Sequence, residues 1–505
     1  MKMKKALSGN LSLALLLLIA IQISGVAQRP QKNQTAPTKK TTVIEAWRKQ
    51  PPPQVPPRPL KLPNQREVKL DNGLTLILIP DHRIPMVSVN LGIPVGDIND
   101  PPNLTGLAET TAALITEGSG NRTSVEIDRE VETLGAQLSA ASYEDYTEIM
   151  TTVIAENLER MLEVFSDAVL HPSFPENEVA LYKKNRVESL TVQRQEPSFL
   201  VARQFYKAIY GAHPYANSTP TPESIAAIDR AKIASFHKSY YTPTNSILVV
   251  TGDFDATKIQ GKLEALFGKW QSADSQTATL PAMPESTKRK IYLIDRAASE
   301  QADFRIGSLG VARADADFFP LLVANAILGD GTSSRLFLNL REKKGFTYDV
   351  SSSVAAPRQR GVFFGASETR TAVTLAAIKE MLAEFERLRR VPVSAADLQN
   401  AKNYLNGYFS LSLSTQGGIT DRIVTYRMLG LPKTILETYR ERVEAVTAEQ
   451  IQQAAQKYIQ TNDAIIIVVG DAAKLGAQLA ELGTVEVLNL EGKFVKRIEP
   501  RKRLR

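Results

Sequence analysis

SILVVTGDFDATK, residues 246–258, and AIIIVVGDAAK, residues 464–474, are the segments whose reading decides the fold. Each is a run of aliphatic residues, then Gly-Asp, then the start of a helix. A continuous apolar run of that length reads as a strand covered on both faces. The helical patterns just before them, residues 232–240 and 448–458, correspond as well. A period of about 215–220 residues is too long for a solenoid and implies two tandem copies of one domain. A chain of 505 residues is also too long for one core, since cores stop growing near roughly 250–300 residues.

Working outward, the first copy begins at Arg66. Asp71-Asn72-Gly73 between two apolar runs predicts a hairpin. Alternation over residues 86–93 predicts a strand, and Thr123 with Glu126 forms a capping box for the next helix. Amphipathic helices are expected at 157–170, 176–194 and 199–210. The second copy repeats the order, with strands near 291–294, 303–309, 348–354 and 362–366. Its helices are expected at 318–328, 333–341, 371–389, 395–409 and 420–429. Runs of strands followed by runs of helices make each half α+β, a mostly antiparallel sheet packed with helices.

The ends read differently. Lys2, Lys4 and Lys5 precede an apolar run at 11–23, and Gly25 and Ala27 give a small-residue exit. We read residues 1–27 as a secretory signal peptide rather than an uncleaved anchor, because the run is short for a membrane span. Residues 28–65 are proline-rich and read as an extended tether. The domain plan that follows is 66–272, a linker at 273–290, 291–485, and a basic tail at 486–505. The expected location is the periplasm or cell envelope. Membrane association is possible but not predicted.

Composition excludes several chemistries. Cysteine is absent, which removes disulfides, thiolate zinc sites and cysteine nucleophiles. The net charge of +7 is concentrated at the two ends. The body is then close to neutral, and no nucleic-acid partner is expected. We read Arg501-Lys502-Arg503-Leu504-Arg505 as a solvated terminus rather than a phosphate or lipid site. Gly329-Asp330-Gly331-Thr332 lacks the P-loop pattern and is read as a turn between helices; no G-x-S-x-G is present.

Two stretches remain for chemistry. One is TGLAETTAALITEG, residues 105–118; the other is GDGTSSRLFLNLREKKGFTYDVSSS, residues 329–353. The four histidines are His82, His171, His213 and His237, and no two lie within four residues. No helix can therefore present a two-histidine zinc face. Each has a plain structural reading: His213 in a loop, His171 at a helix end, His82 and His237 on the surface. In the second stretch Arg341 and Tyr348 are seven residues apart, with Gly345 able to turn the chain between them. Guanidinium and phenol are both donors suited to a developing oxyanion.

Taken in order, several segments carry a resemblance. They are Thr105-Gly106-Leu107-Ala108, His213-Pro214-Tyr215, Tyr240-Tyr241-Thr242-Pro243-Thr244-Asn245, Gly252-Asp253 and Ser334-Arg335-Leu336. Over about residues 66–482 the chain resembles the pitrilysin/insulinase metallopeptidases, in the branch of the mitochondrial processing peptidase subunits. The resemblance implies paired α+β domains forming half of a clam-like chamber that admits unfolded peptides. It also implies H-x-x-E-H on the helix after Gly-Leu-Ala, with two histidines holding zinc and the glutamate acting as general base. Here those positions read Glu109, Thr110, Thr111, Ala112 and Ala113. Both ligands and the base are missing, while the family's distal glutamate matches Glu188. Glu109 and Glu188 together supply too few oxygens for Mg²⁺ or Ca²⁺, so no metal is expected in this chain. The family's substrate-binding and oxyanion-stabilising pair matches Arg341 and Tyr348.

These readings predict an exported, non-catalytic subunit of a two-chain zinc endopeptidase. A homologous partner bearing H-x-x-E-H would hold the zinc, and this chain would lend Arg341 and Tyr348 and bind peptide. The alternatives are a scaffold or peptide-binding protein without a catalytic partner, and an active metallopeptidase with atypical ligands.

Overall fold

The computed structural model describes residues 62–217, 219–271, 280–285 and 288–500. The signal peptide, the tether up to residue 61, half of the linker and residues 501–505 lie outside the described residues. Among the described residues no helix is long and apolar enough to cross a membrane.

The first half supplies β1 (Arg66–Lys69), β2 (Thr75–Pro80), β3 (Met86–Ile93), a two-residue ladder β4 (Gly118–Ser119) and β5 (Arg122–Thr123), then β6 (Gln137–Ser142), β7 (Thr147–Ile154) and β8 (Ile247–Gly252). The second half supplies β9 (Lys290–Asp295), β10 (Gln301–Leu309), β11 (Val350–Ala355), β12 (Val362–Arg370), β13 (Ile465–Gly470), β14 (Val485–Leu488) and β15 (Phe494–Ile498). One sheet has the order β1-β2-β8-β3-β7-β6, the other β11-β12-β10-β13-β9-β14-β15. Reversed, the second contains β9-β13-β10-β12-β11, which matches β2-β8-β3-β7-β6 strand for strand. The parallel pair β2/β8 has its counterpart in the parallel pair β9/β13. The fold is therefore α+β in two copies.

β8 and β13 are buried at every position, as their apolar runs require. The reason is an exchange between halves. The helix Gln416–Met428, from the second half of the sequence, packs on β3 and β8 of the first sheet. The helix Pro197–Tyr210, from the first half, packs on β10 and β13 of the second. Alternate residues of each strand consequently face different cores. Ile247 and Val249 join the core containing Ile419 and Ile423, whereas Leu248 and Val250 face the first half's own helices. Ile465, Ile467 and Val469 pack with Phe205 and Ile209, whereas Ile466 and Val468 face the second half's own helices. The two halves thus share buried surface.

Local signals map onto the structure closely. The Asp71-Asn72-Gly73 turn joins β1 to β2, and Gly73 has φ +95°. The capping box holds the helix Ser124–Thr133: Glu126 N donates to Thr123 Oγ1 at 3.3 Å, and Thr123 N donates to Glu126 Oε2 at 2.8 Å. Three expectations need correction. Residues 486–498 are not a loose basic tail: β14 pairs parallel with β9, and β15 closes the edge antiparallel to β14. Lys493, Lys496 and Arg497 are ordinary charges on that short edge, which keep it from pairing further. The helix Ile435–Glu444 has no counterpart among the expected elements. Finally, the helix expected at 333–341 is a π-helix over Phe337–Lys343.

Candidate functional site

In the first half, the helix Leu107–Leu114 begins after Gly106, whose φ is +94°. The Asp100 carboxylate caps it, accepting from Gly106 N at 2.6 Å and Ala108 N at 2.8 Å. Partial burial pushes the Asp100 carboxyl up to about 8 despite those bonds, and that of neighbouring Asp97, also partly buried, up to about 7. An anion at a helix N-terminus is ordinarily favourable; here burial outweighs it.

Of the former metal positions, Ala112 is buried and Ala113 partly so. Neither carries a donor atom. Thr111 Oγ1 donates to Leu107 O at 2.8 Å. Glu109 faces the helix Glu176–Gln193, where Arg186 and Tyr182 stand one turn apart. Arg186 Nε lies 2.7 Å from Glu109 Oε1, Arg186 Nη2 donates to Oε2 at 3.1 Å, and the Tyr182 hydroxyl donates to Oε1 at 3.1 Å. Burial, followed by the Glu109 charge, raises the Tyr182 phenol, so it stays a donor. Glu188 is exposed on the same helix and has no ion pair among the described residues. These residues do not fit zinc, which needs several N, S or O ligands converging on one point. Glu109 is already engaged by a guanidinium. Among the described residues no group of three His, Cys, Asp or Glu side chains could hold a metal ion.

Arg186 was not among the candidates read from sequence. The signal was present: Tyr182 and Arg186 are spaced i, i+4 on a helix, so both face whatever that helix packs against. What the sequence lacked was the partner helix.

In the second half the polar groups stay open. The π-helix widens its last turns: Lys344 N donates to Asn339 O at 3.0 Å and Phe346 N to Leu340 O at 2.9 Å. Gly345, at φ +60°, reverses the chain there, a conformation that costs other residues strain. The π-helix is tied to the helix Thr374–Arg390 by Asn339 Nδ2, which donates to Glu384 Oε1 at 2.9 Å, and by Lys344 Nζ with Glu380 at 2.8 Å. Upstream, a Cβ on Gly329 would lie 2.4 Å from Ser352 N, so the turn can press against β11 only as glycine. Single-turn π segments often mark functional sites, because they displace side chains relative to a regular helix.

Arg341 and Tyr348 line one cavity of about 550 Å³, together with Gly345, Asp349, Glu368 and Arg370. Tyr348 is 89% exposed. The Arg341 guanidinium sits over the Phe337 ring, 4.7 Å from its centroid, and its ion pair among the described residues, with Glu342, is a long 3.7 Å. Both donors can reach a ligand in this cavity. Arg370 and Glu368, at the end of β12, are lining residues that the motif reading did not include.

The remaining histidines are structural. His213 is buried. In the same loop the Tyr215 hydroxyl donates to Asp145 Oδ1 at 2.5 Å, while Arg358 N donates to Asp145 Oδ2 at 2.7 Å. His213-Pro214-Tyr215 thereby clamps the β6–β7 turn of one half to the β11–β12 turn of the other. His237 is not the surface residue expected: its ring packs near Phe174 and Tyr241, and burial lowers its pKa to about 4. His171 caps the helix Leu158–Leu170, and His82 pairs with Asp253 at 2.5 Å.

With this geometry in view, known proteins resolve the lineage. The profile of the family described as "Insulinase (Peptidase family M16)" matches residues 75–223, and that of "Peptidase M16 inactive domain" matches residues 227–405. The Bacillus subtilis "Uncharacterized zinc protease YmxG" is 26% identical over 402 residues, covering 79% of this chain and 96% of that protein. A similarly named protein of Streptomyces coelicolor is 23% identical, covering 77% and 86%. The crystal structure of a peptidase M16 inactive domain from Pseudomonas fluorescens superimposes with a TM-score of 0.76 at 25% identity, covering 81% of this chain and 98% of that one. A Helicobacter pylori protease shares the fold, with a TM-score of 0.75 at 21% identity, covering 81% and 100%. The Bacillus and Streptomyces relatives are called zinc proteases, whereas this chain offers an ion pair and two alanines where the zinc motif would stand. The two profile matches together span residues 75–405 almost without a gap and reach into both halves, and the chain belongs to the insulinase (M16) peptidase family.

Proposed function

We propose that this chain is an exported, non-catalytic subunit of a two-chain M16 zinc endopeptidase. A homologous partner with an intact H-x-x-E-H supplies zinc and general base. This chain supplies Arg341 and Tyr348, and binds unfolded peptide. One observation carries the reading: both donors open into one cavity, while the metal-motif positions are closed by the Glu109–Arg186 pair. Guanidinium and phenol there would hold a substrate carbonyl and stabilise the charge it gains in the tetrahedral intermediate. Export rests on residues 1–27.

The test mixes the purified chain with an H-x-x-E-H-bearing relative from the same source and follows cleavage of a quenched fluorescent peptide. Neither chain alone should match the mixture. Arg341→Ala or Tyr348→Phe should lower turnover of the mixture about ten- to a thousandfold, the scale of losing one oxyanion donor. Unchanged turnover with both replaced would sink the shared site. Stoichiometric tightly bound zinc with hydrolysis by this chain alone would instead favour an active enzyme. No association with any such relative would leave a scaffold role.

A further inference from the structure

We propose that a second pocket, walled by the helices Phe318–Leu328, Gln416–Met428 and Ile435–Glu444, binds the α-carboxylate of a residue with an apolar side chain. The pocket holds about 80 Å³ and is lined by Arg313, Phe318, Phe319, Tyr426, Tyr439 and Arg442. It is separate from the Arg341–Tyr348 cavity, shares no residue with it, and does not rest on the two-chain reading.

The argument is one of donors and acceptors. The Arg313 guanidinium lies over the Phe318 ring at 4.1 Å from the centroid and 5.2 Å from that of Tyr426. Arg442 lies 5.9 Å from the Phe319 centroid. Stacking on a ring face leaves the planar N–H edge of a guanidinium free for an acceptor. Neither arginine has an ion pair among the described residues. Arg442 Nε reaches only its own helix, donating to Thr438 Oγ1 at 3.2 Å. The Tyr426 and Tyr439 hydroxyls likewise have no hydrogen-bond partner among the described residues. Burial pushes the Tyr439 phenol up to about 12, so it remains a donor. The one carboxylate at the rim, Asp315, already accepts from Ala312 N at 2.9 Å. Two cationic forks therefore face one carboxylate, so the pocket keeps an excess of positive charge and of N–H and O–H donors, which is the complement of a further carboxylate.

The floor selects what the carboxylate is attached to. Phe318 and Ile435 are buried, and the Tyr439 ring is held by a stack on Phe409 at 3.9 Å. The walls are fixed, because the Arg313 backbone N–H is anchored on Pro357 O at 3.0 Å. A space of this size takes one branched aliphatic side chain, not a folded segment. An inorganic anion would leave the aromatic floor wet. A free acylated amino acid and the C-terminal residue of a peptide share the required chemistry.

Calorimetric titration of the purified full chain tests this. N-acetyl-leucine and a pentapeptide ending in leucine should both bind, and amidating either carboxylate should weaken binding at least tenfold. Tighter binding by the pentapeptide assigns the site to chain ends, equal binding to the free acid; each supports the pocket. Arg442→Gln, at an exposed position, should weaken both ligands at least fivefold with an unchanged unfolding midpoint, and Arg313→Gln should do so more strongly. Equal affinity for acid and amide, inorganic phosphate binding as tightly as N-acetyl-leucine, no detectable binding at millimolar ligand, or insensitivity to Arg442→Gln would each overturn the proposal.

Discussion

The helix Leu107–Leu114 and the segment from Phe337 to Tyr348 handle charge in opposite ways. In the first, the carboxylate of Glu109 is held by Arg186 and Tyr182, and the Thr111 hydroxyl by its own helix. In the second, Arg341 and Tyr348 remain exposed above a cavity, while the residues beside them, Asn339 and Lys344, are bonded to a neighbouring helix. One region is closed upon itself, and the other has a fixed base with free donors. A pair kept only for stability would resemble the first. The second pattern suits a ligand, since donors bonded within the protein are unavailable to anything else.

The sharpest way to break this contrast is to remove the open donors. Replacing Arg341 or Tyr348 should leave the unfolding midpoint within about 0.5 kcal/mol, because exposed side chains contribute little. Turnover with a zinc-bearing partner should fall about ten- to a thousandfold. A large loss of stability would place the pair in the same structural class as Glu109 and Arg186. The reverse experiment is Arg186→Ala. It leaves a half-buried carboxylate unpaired and should cost about 1–3 kcal/mol in urea unfolding, with turnover of the mixture unchanged. If Arg186→Ala instead abolishes turnover while stability holds, the closed region has a role in the reaction.

Gly345→Ala tests the link between the two donors. Its φ of +60° should cost about 1 kcal/mol in an L-residue, although nothing lies within 4 Å of the added Cβ. Because the turn aims Tyr348, turnover should fall further than the lost stability accounts for. An unaffected rate would mean that Tyr348 finds its position without the turn.

How much of this was legible in the sequence depended on how local the cause was. The Asp71-Asn72-Gly73 hairpin and the Thr123 capping box rest on contacts between near neighbours, and the strands within 246–258 and 464–474 show as unbroken apolar runs, so each is readable. The emptied motif was readable as missing side chains. What filled it was not, because Arg186 reaches Glu109 only through the packing of two distant helices. The π-helix is hidden for a related reason: its i→i+5 bonding over Phe337–Lys343 comes with the anchor of Asn339 on the distant Glu384, while the local pattern fits an ordinary helix. The exchange of helices between halves left one trace, the unbroken apolar runs of β8 and β13. Those runs required cover on both faces without saying which helix supplied it.

The remaining prediction concerns that exchange. Glu148, on β7, is fully buried in the sheet that receives the helix Gln416–Met428, with Asn90 and Thr425 as its polar neighbours. Burial, then the charge of Asp421 on the incoming helix, raises its pKa from the ordinary 4.5 to about 7. A carboxyl raised on folding favours the protonated, folded state. Its contribution is complete below about pH 4.5 and is lost as pH rises through 7. Stability should therefore decline between pH 5 and 8, with the seat of the exchanged helix opening first. Glu148→Gln removes the ionisation, and its amide can donate to the nearby, unpartnered Asn90 Oδ1. The variant should match the parent near pH 5 and exceed it at pH 8 by up to about 3 kcal/mol, since a rise from 4.5 to about 7 is worth roughly 1.4 kcal/mol per unit. Urea midpoints at the two pH values decide it. An identical pH slope in parent and variant would mean that the contact between the halves does not sense this carboxyl.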